Sequence, residues 1–150
     1  MSLESVRHFF AEHAPDVDII EMPDAELAIR LHGVEPGQLA KTLSFKVKEN
    51  VVLIVTRGDA RLDNDKLKAA LGGKARMLCV DEVVNWTGHP ARAVCPFGLE
   101  NPLTVYCDVS LRRYEEVLPA AGSIYNAVRI SPQRMADLTA AKWVDVCEAL

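Results

Sequence analysis

Residues 41–47, KTLSFKV, and residues 51–58, VVLIVTRG, are separated by the three residues KEN. The first segment alternates polar and apolar residues, whereas the second is an almost continuous run of aliphatic, mostly β-branched side chains. Two such segments with so short a connection predict a β-hairpin, its first strand half-exposed and its second strand central in a sheet. The hairpin interrupts strict strand–helix alternation, and the sequence has no GxGxxG, so a Rossmann domain is not expected.

The segments around this hairpin predict further helices and strands. Helices are expected over residues 3–12, 24–33, 63–73, 81–88, 110–118 and 131–139, with Ser2, Ser110 and Ser131 as N-caps. Strands are expected over 17–22, 75–80, 102–109 and 124–130, and the tail KWVDVCEAL fits a strand or a helix. The pattern predicts one α+β domain over residues 1–150, built on a mixed sheet flanked by helices.

Composition and charge narrow the class of protein. The chain has 150 residues, of which 49% are hydrophobic and 25% charged, with a net charge of −4. No apolar run approaches the roughly 20 residues that span a bilayer, and the N-terminus lacks a signal-peptide core, so we expect a cytoplasmic protein without membrane contact. The negative charge argues against binding to DNA or long RNA, but it permits contact with an RNA end.

The cysteines do not suggest a metal site or a cofactor. No pair forms CxxC, and the four histidines add no ligand spacing. We expect buried, reduced thiols at Cys79, Cys107 and Cys147, which lie in apolar runs. Cys95 is interpreted as inert, because no neighbouring residue activates it; a nucleophilic role is the alternative.

Lys41 is the first candidate for chemistry. Strand alternation puts it on one face with Leu43, Phe45 and Val47, and Thr42 on the other face. A lone lysine among apolar residues usually extends its ammonium group to solvent at the sheet end; the alternative is that it reaches into a cleft.

The segment GHPARAVCPFGL, residues 88–99, is the second candidate. Glycines and prolines stiffen both of its ends, and the backbone N–H groups of Ala93, Val94 and Cys95 have no expected ladder partners. Free amides in a rigid turn can hold an oxyanion or a carboxylate; an ordinary connector is the alternative. His89 is expected at the surface in solvent. Tyr106, Asp108, Ser123 and Asn126 flank strand ends, where they line a pocket or cap turns.

Together these segments resemble the YbaK family, which includes the editing domain of bacterial prolyl-tRNA synthetases. The resemblance rests on EPGQLAKTLSFKV, TGHPARAVCPFGL, VYCDVSL and AAGSIYNAVRISPQRM, in this order, and covers nearly the whole chain. It implies a compact domain with a curved, partly barrel-like mixed sheet and an open pocket. It also implies hydrolysis of the ester that joins a wrongly attached amino acid to the 3′ adenosine of a tRNA.

The resemblance assigns roles to individual residues. Lys41 matches the family lysine and is the expected catalytic residue; no metal is implied. The expected substrate-binding residues are Thr42, Ala93, Val94, Cys95, Pro96, Gly98, Ser123 and Asn126. Two positions depart from the family pattern: Arg92 occupies the glycine of the Gly-x-x-x-Pro loop, and Asn126 stands near where some members have a histidine.

The function implied is that of a free-standing deacylase that edits a mischarged small amino acid in trans, with tRNA(Pro) as the expected tRNA. Its partners are then the CCA end of the mischarged tRNA and, for affinity, an aminoacyl-tRNA synthetase. The departures at Arg92 and Asn126 support an alternative, a module that binds the aminoacylated end or a nucleotide without cleaving it.

Overall fold

The computed structural model describes residues 2–22, 29–30 and 33–149. Its helices are α1 (Ser2–His13), α2 (Asn64–Leu71), α3 (Val80–Thr87) and α4 (Pro132–Thr139). Its strands are β1 (Ile19–Glu21), β2 (Lys41–Val47), β3 (Asn50–Thr56), β4 (Ala75–Met77), β5 (Thr104–Asp108), β6 (Asn126–Val128) and β7 (Lys142–Val144). Short 3-10 helices cover Pro36–Gln38, Ala91–Ala93 and Val109–Arg113.

The predicted hairpin forms the middle of the larger sheet. Strands β2 and β3 pair antiparallel, with Lys41 opposite Thr56 at one end and Val47 opposite Asn50 at the other. The strand order is β4-β2-β3-β5-β7, and β5 and β7 run parallel to their neighbours. Every residue of β3 after Asn50 is buried. The α+β class and the mixed sheet are therefore confirmed, and β4 and β7 leave the sheet open at its two edges.

The sheet carries a core on each face. On one, the α1 face, Leu53 and Val55 belong to a buried cluster with residues of α1 and α4 and with Phe97. On the other, the α2 face, Phe45 and Ile54 pack with residues of α2 and with the C-terminal segment. Burial on both faces explains why β3 is apolar throughout rather than alternating.

A smaller sheet lies beside the first. Strands β1 and β6 pair antiparallel, with Ile19 opposite Val128, and bring the N-terminal third of the chain against the segment after β5. Met22, Leu118 and Ala127 form a separate small core under these strands. This core forms the floor of the candidate site described below.

Two helices begin at capping residues, of which Ser131 was predicted. Asp63 accepts hydrogen bonds from the backbone of Asp65 and Lys66 and begins α2, and Gly72 ends it in the left-handed conformation at φ 75°. Ser131 accepts from the backbone N–H of Arg134, and Pro132 occupies the first turn of α4. The predictions of helices over 63–73 and 131–139 are confirmed.

The predicted helix over 110–118 is wrong. The structure has a 3-10 helix over Val109–Arg113, and its cap is Asp108, which accepts from the N–H of Ser110. Val117 forms an antiparallel bridge with Ile130, and the next bridge joins Ala120 to Ala127. Pairing with this neighbouring segment satisfies the backbone that a helix would have used, and Pro119 has no N–H to continue one.

Several smaller expectations are settled as well. The tail forms strand β7, and the predicted strand over 75–80 stops at Met77. Cys79 is exposed at the start of α3, against the expectation of a buried thiol, whereas Cys107 and Cys147 are buried. The predicted helix over 24–33 lies largely outside the described residues; within it, residues 29–30 are helical. In the part of the chain that the structure describes, no helix is long and apolar enough to span a bilayer.

Candidate active site

A pocket of about 350 Å³ opens beside the small sheet and contains two of the predicted site residues. Ser123 and Asn126 supply polar groups to it, and Arg92 stands at its edge. The remaining lining is apolar and partly made of small side chains: Ala40, Ala120, Ala127, Met22, Leu39, Leu118 and Ile124. We call this cavity the Asn126 pocket. Its size and its few polar groups are typical of small-molecule sites.

A tight turn positions the polar residues of this pocket. The N–H of Asn126 donates to the carbonyl of Ser123 at 3.3 Å, and the N–H of Tyr125 donates to Ser123 Oγ at 3.1 Å. Gly122, at φ 89°, lies so close to α1 that a Cβ atom there would be 2.7 Å from the carbonyl oxygen of Ser2. The glycine therefore permits the close approach that holds this turn in place.

The loop of residues 88–99 packs next to this turn, and its conformation differs in part from expectation. The N–H of Ala93 donates to the carbonyl of Pro90 at 2.9 Å within a 3-10 turn. The prediction that this N–H is a free donor is therefore wrong. For the N–H groups of Val94 and Cys95 no acceptor is found among the described residues. Ala93, Val94, Cys95 and Pro96 are all buried. Neither Val94 nor Cys95 is among the residues that line the Asn126 pocket.

His89 is fully buried, and the expectation of a solvated side chain is wrong. Its Nε2 lies 2.7 Å from the carbonyl oxygen of Phe97, and its Nδ1 lies 2.6 Å from Ser2 Oγ. Because a carbonyl only accepts, Nε2 carries the proton and Nδ1 accepts from the Ser2 hydroxyl. Burial lowers the pKa of His89. The ring joins the start of α1 to the loop and has a structural role.

Cys95 is another buried residue of this loop. Its thiol lies against the backbone of Phe97 and Gly122, and burial raises its pKa to about 12. A thiol with so high a pKa stays protonated near neutral pH and is a poor nucleophile. Gly98, at φ 59°, also lies close to α1, because a Cβ atom there would be 2.6 Å from the carbonyl oxygen of Ser5.

Lys41 is the first residue of β2 and follows Ala40, which lines the Asn126 pocket. Its ammonium group donates to the carbonyl oxygen of Ala60 at 2.5 Å, and the side chain is half-buried. Thr42 is buried on the opposite face. The predicted face for Lys41, shared with Leu43 and Phe45, is confirmed. The structure does not place its side chain among those lining the Asn126 pocket.

Ala60, whose carbonyl accepts from Lys41, lines a second cleft of about 230 Å³, which we call the Ser110 cleft. Ser110 Oγ faces no hydrogen-bond partner among the described residues although the atom is buried. The cleft also carries three cationic side chains and three carboxylates: Arg57, Lys66, Arg113, Asp108, Asp145 and Glu148. Its charged groups therefore balance.

Arg57 was not recognised from the sequence. Its guanidinium group donates to both carboxylate oxygens of Asp59 at 2.9 Å and lies over the ring of Tyr114, 5.2 Å from the ring centroid. The hydrogen bond from Arg57 lowers the pKa of Asp59. A Cβ atom at Gly37 would be 2.9 Å from Arg57 Nε, so the glycine makes room for this group. The only signal was the segment TRGDA directly after a central strand.

Comparisons with known proteins agree on one family. The model described as "Aminoacyl-tRNA editing domain" matches residues 21–138. The chain is 42% identical to the uncharacterized protein YwhH of Bacillus subtilis, over 99% of this chain and 98% of that protein. It is 31% identical to the proline–tRNA ligase of Desulforamulus reducens over 73% of this chain, a match that spans 20% of the ligase.

Solved structures give the same result. The crystal structure of a proposed trans-editing enzyme for prolyl tRNA synthetase superposes with a TM-score of 0.91 at 29% identity, covering 99% of this chain and 98% of that one. The hypothetical protein APE2540 superposes with a TM-score of 0.86 at 26% identity, over 96% of this chain and 99% of that chain.

Proposed function

Because this chain belongs to the aminoacyl-tRNA editing domain family, we propose that it hydrolyses the ester between a mischarged small amino acid and the 3′ end of a tRNA. The observation that carries the proposal is the Asn126 pocket, which is walled by Ala40, Ala120 and Ala127 and lies within the matched region. Alanine, serine and cysteine are the proposed cargoes, on the premise that the part of the pocket beside these alanines receives the amino acid side chain and discriminates by size.

The reaction requires little from the protein. Water adds to the ester carbonyl, the bond between the carbonyl carbon and the ribose oxygen breaks, and the ribose oxygen takes up a proton. The backbone N–H groups of Val94 and Cys95 are the donors proposed for the oxyanion that forms in between. One such donor contributes about 3 kcal/mol to the transition state. Asn126 orients the attacking water or a ribose hydroxyl by hydrogen bonding.

Lys41 is proposed to bind the tRNA rather than the amino acid. An ammonium group has three donors, and Ala60 accepts from one of them. Ala40, which lines the Asn126 pocket, directly precedes Lys41 in the sequence, whereas Lys41 itself is not among the lining residues. An acceptor end that passes this end of β2 brings its ester to the pocket and a phosphate to Lys41. Phosphate binding by Lys41 therefore fits its position better than polarisation of the ester carbonyl.

We further propose that the chain edits in trans, on tRNA(Pro), and that it works in the cytoplasm. The proposed trans-editing enzyme, which superposes over nearly its whole length, supports the first point. The similarity to proline–tRNA ligases supports the choice of tRNA. A net charge of −4 permits contact limited to the single-stranded CCA end, and a synthetase partner is proposed to supply further affinity.

Deacylation of a panel of charged tRNAs tests the proposal. We expect the wild-type protein to release amino acid from at least one of Ala-, Ser- and Cys-tRNA(Pro), and to spare Pro-tRNA(Pro) and Leu-tRNA(Leu). Ala-tRNA(Ala) in the same panel reports whether the tRNA is recognised. Equal release from small and large cargoes would contradict the role of the pocket.

The second candidate is a module that binds the aminoacylated end without cleaving it. Arg92 and Asn126, at positions where the related pattern has glycine and histidine, favour this alternative. It predicts a measurable dissociation constant for the CCA end together with no release from any charged tRNA of the panel, with and without an added prolyl-tRNA synthetase.

A further inference from the structure

Two large hydrophobic side chains are exposed at the mouth of the Asn126 pocket. Ile124 has an exposed fraction of 46% and Tyr125 one of 57%, and both lie in the turn that leads into β6. Ile124 itself lines the pocket, and Tyr125 is flanked in sequence by two lining residues. An exposed isoleucine next to an exposed tyrosine at a pocket entrance suggests a surface that a ligand covers.

The backbone of this turn is fixed although its side chains are exposed. The N–H of Tyr125 is bonded to Ser123 Oγ at 3.1 Å, and its carbonyl accepts from the N–H of Met22, another residue that lines the pocket, at 2.6 Å. The tyrosine ring is therefore attached to a rigid support at the pocket edge. Such a support lowers the entropy lost when a planar group stacks on the ring.

The charge at this rim is positive. Arg92 lines the same pocket and is exposed, and it is the only charged residue among the described residues that line the pocket. A guanidinium group that lines the pocket, together with an aromatic ring on the adjoining turn, matches a nucleotide, which presents a phosphate and a flat base. The overall charge of the protein is negative, so this local positive charge is not explained by composition.

We propose that the Ile124–Tyr125 turn stacks on the terminal base of the tRNA and that Arg92 binds the phosphate of the same nucleotide. This inference rests on the proposed function, since it places the 3′ ester of that nucleotide in the Asn126 pocket. Single-stranded RNA ends are commonly held in this way, by stacking on aromatic side chains. Tyr125, Ile124 and Arg92 are thus residues that position the substrate.

The first test replaces the ring. We expect Tyr125→Ala to raise KM for a mischarged tRNA roughly tenfold or more with kcat nearly unchanged, the loss typical of one stacked base. Tyr125→Phe keeps the stacking surface and is expected to stay close to wild type. Met77→Ala is the matched control, because Met77 is equally exposed, at 58%, in edge strand β4. Equal KM values for wild type and Tyr125→Ala would overturn the inference.

The second test uses binding, so that it does not depend on catalysis. Fluorescence anisotropy measures the dissociation constant of an uncharged minihelix RNA that ends in CCA, and of the same RNA with an abasic terminal nucleotide. Removing the base should weaken binding to wild type and leave binding to Tyr125→Ala unchanged. If both proteins lose affinity equally, Tyr125 does not contact that base. A wild type that binds the RNA in this base-dependent way without hydrolysing any charged tRNA would reject the proposed hydrolysis and keep the inference.

Discussion

Lys41 and Asn126 illustrate what single residues reveal before a structure is known. Strand alternation placed Lys41 on one face with Leu43 and Phe45, and the structure agrees. The sequence does not indicate on which face of the sheet the pocket opens. The lining of that pocket comes from segments as distant as Ala40, Arg92 and Ser123, and their meeting depends on the pairing of β1 with β6.

The prediction that the side chain of His89 lies in solvent was wrong for a related reason. A histidine between a glycine and a proline is typical of a surface turn, and nothing nearby in sequence indicated its partners. Those partners are Ser2, which lies 87 positions away, and the carbonyl of Phe97. Long-range hydrogen bonds of this kind leave no periodic signal in a single sequence.

The buried ring of His89 gives a prediction for stability. Its pKa is lowered in the folded state, so below its ordinary value near 6.5 the unfolded chain binds a proton that the folded chain does not. The contribution of the neutral His89 ring to the free energy of unfolding is complete above that pH and is lost as the pH falls. We expect the free energy of unfolding to fall between pH 7.5 and 5.5, by up to about 1.4 kcal/mol per pH unit from this group.

Urea unfolding at several pH values measures this effect. His89→Gln should be less stable at pH 7.5 and should show a smaller decline toward pH 5.5. His13→Gln is the matched control, because its side chain is exposed, and it should keep the wild-type slope. An unchanged slope in His89→Gln would mean that the ring is not held neutral by burial.

At the scale of elements, local sequence signals predicted a helix correctly where its boundary is set by a residue of the same segment. Ser131 caps the backbone at the start of α4 as predicted, and Asp63 caps the start of the predicted helix α2. The segment 110–118 has similar local signals, yet only its first turn is helical. Val117 and Leu118 are almost completely buried, and the backbone there pairs with the chain around Ile130. Tertiary pairing overrode helix propensity, which is a weak preference.

The cap of α2 supports a second prediction. Asp63 Oδ1 accepts from the backbone N–H of Asp65 at 3.0 Å and of Lys66 at 3.1 Å. Asp63→Ala should lower the free energy of unfolding by about 1 kcal/mol, because two amide groups lose their acceptor. Asp63→Asn keeps an acceptor and should lose much less. Thermal or urea unfolding of wild type and the two variants measures these losses. An equal loss in both variants would show that the missing cap does not cause the destabilisation.

At the scale of the whole molecule, composition and the central hairpin predicted one α+β domain on a mixed sheet. The order of the strands was not predictable, because parallel partners such as β5 and β7 are joined through the segment between them and leave no turn signature. The lining of the Asn126 pocket and that of the Ser110 cleft likewise come from segments that are far apart in the sequence.

Release of the amino acid from mischarged tRNA by wild type and by Lys41→Ala is the measurement that tests the central claim most directly. Lys46→Ala, on the same strand and with the same change of charge, serves as the control, and unfolding midpoints verify that all three proteins fold. We expect wild type and Lys46→Ala to turn over a small cargo on tRNA(Pro), and Lys41→Ala to lose kcat/KM by roughly a hundredfold, because a charge-assisted contact to a phosphate is lost. Wild-type activity in Lys41→Ala would contradict the role of Lys41, and no release by folded wild type would contradict the proposed hydrolysis.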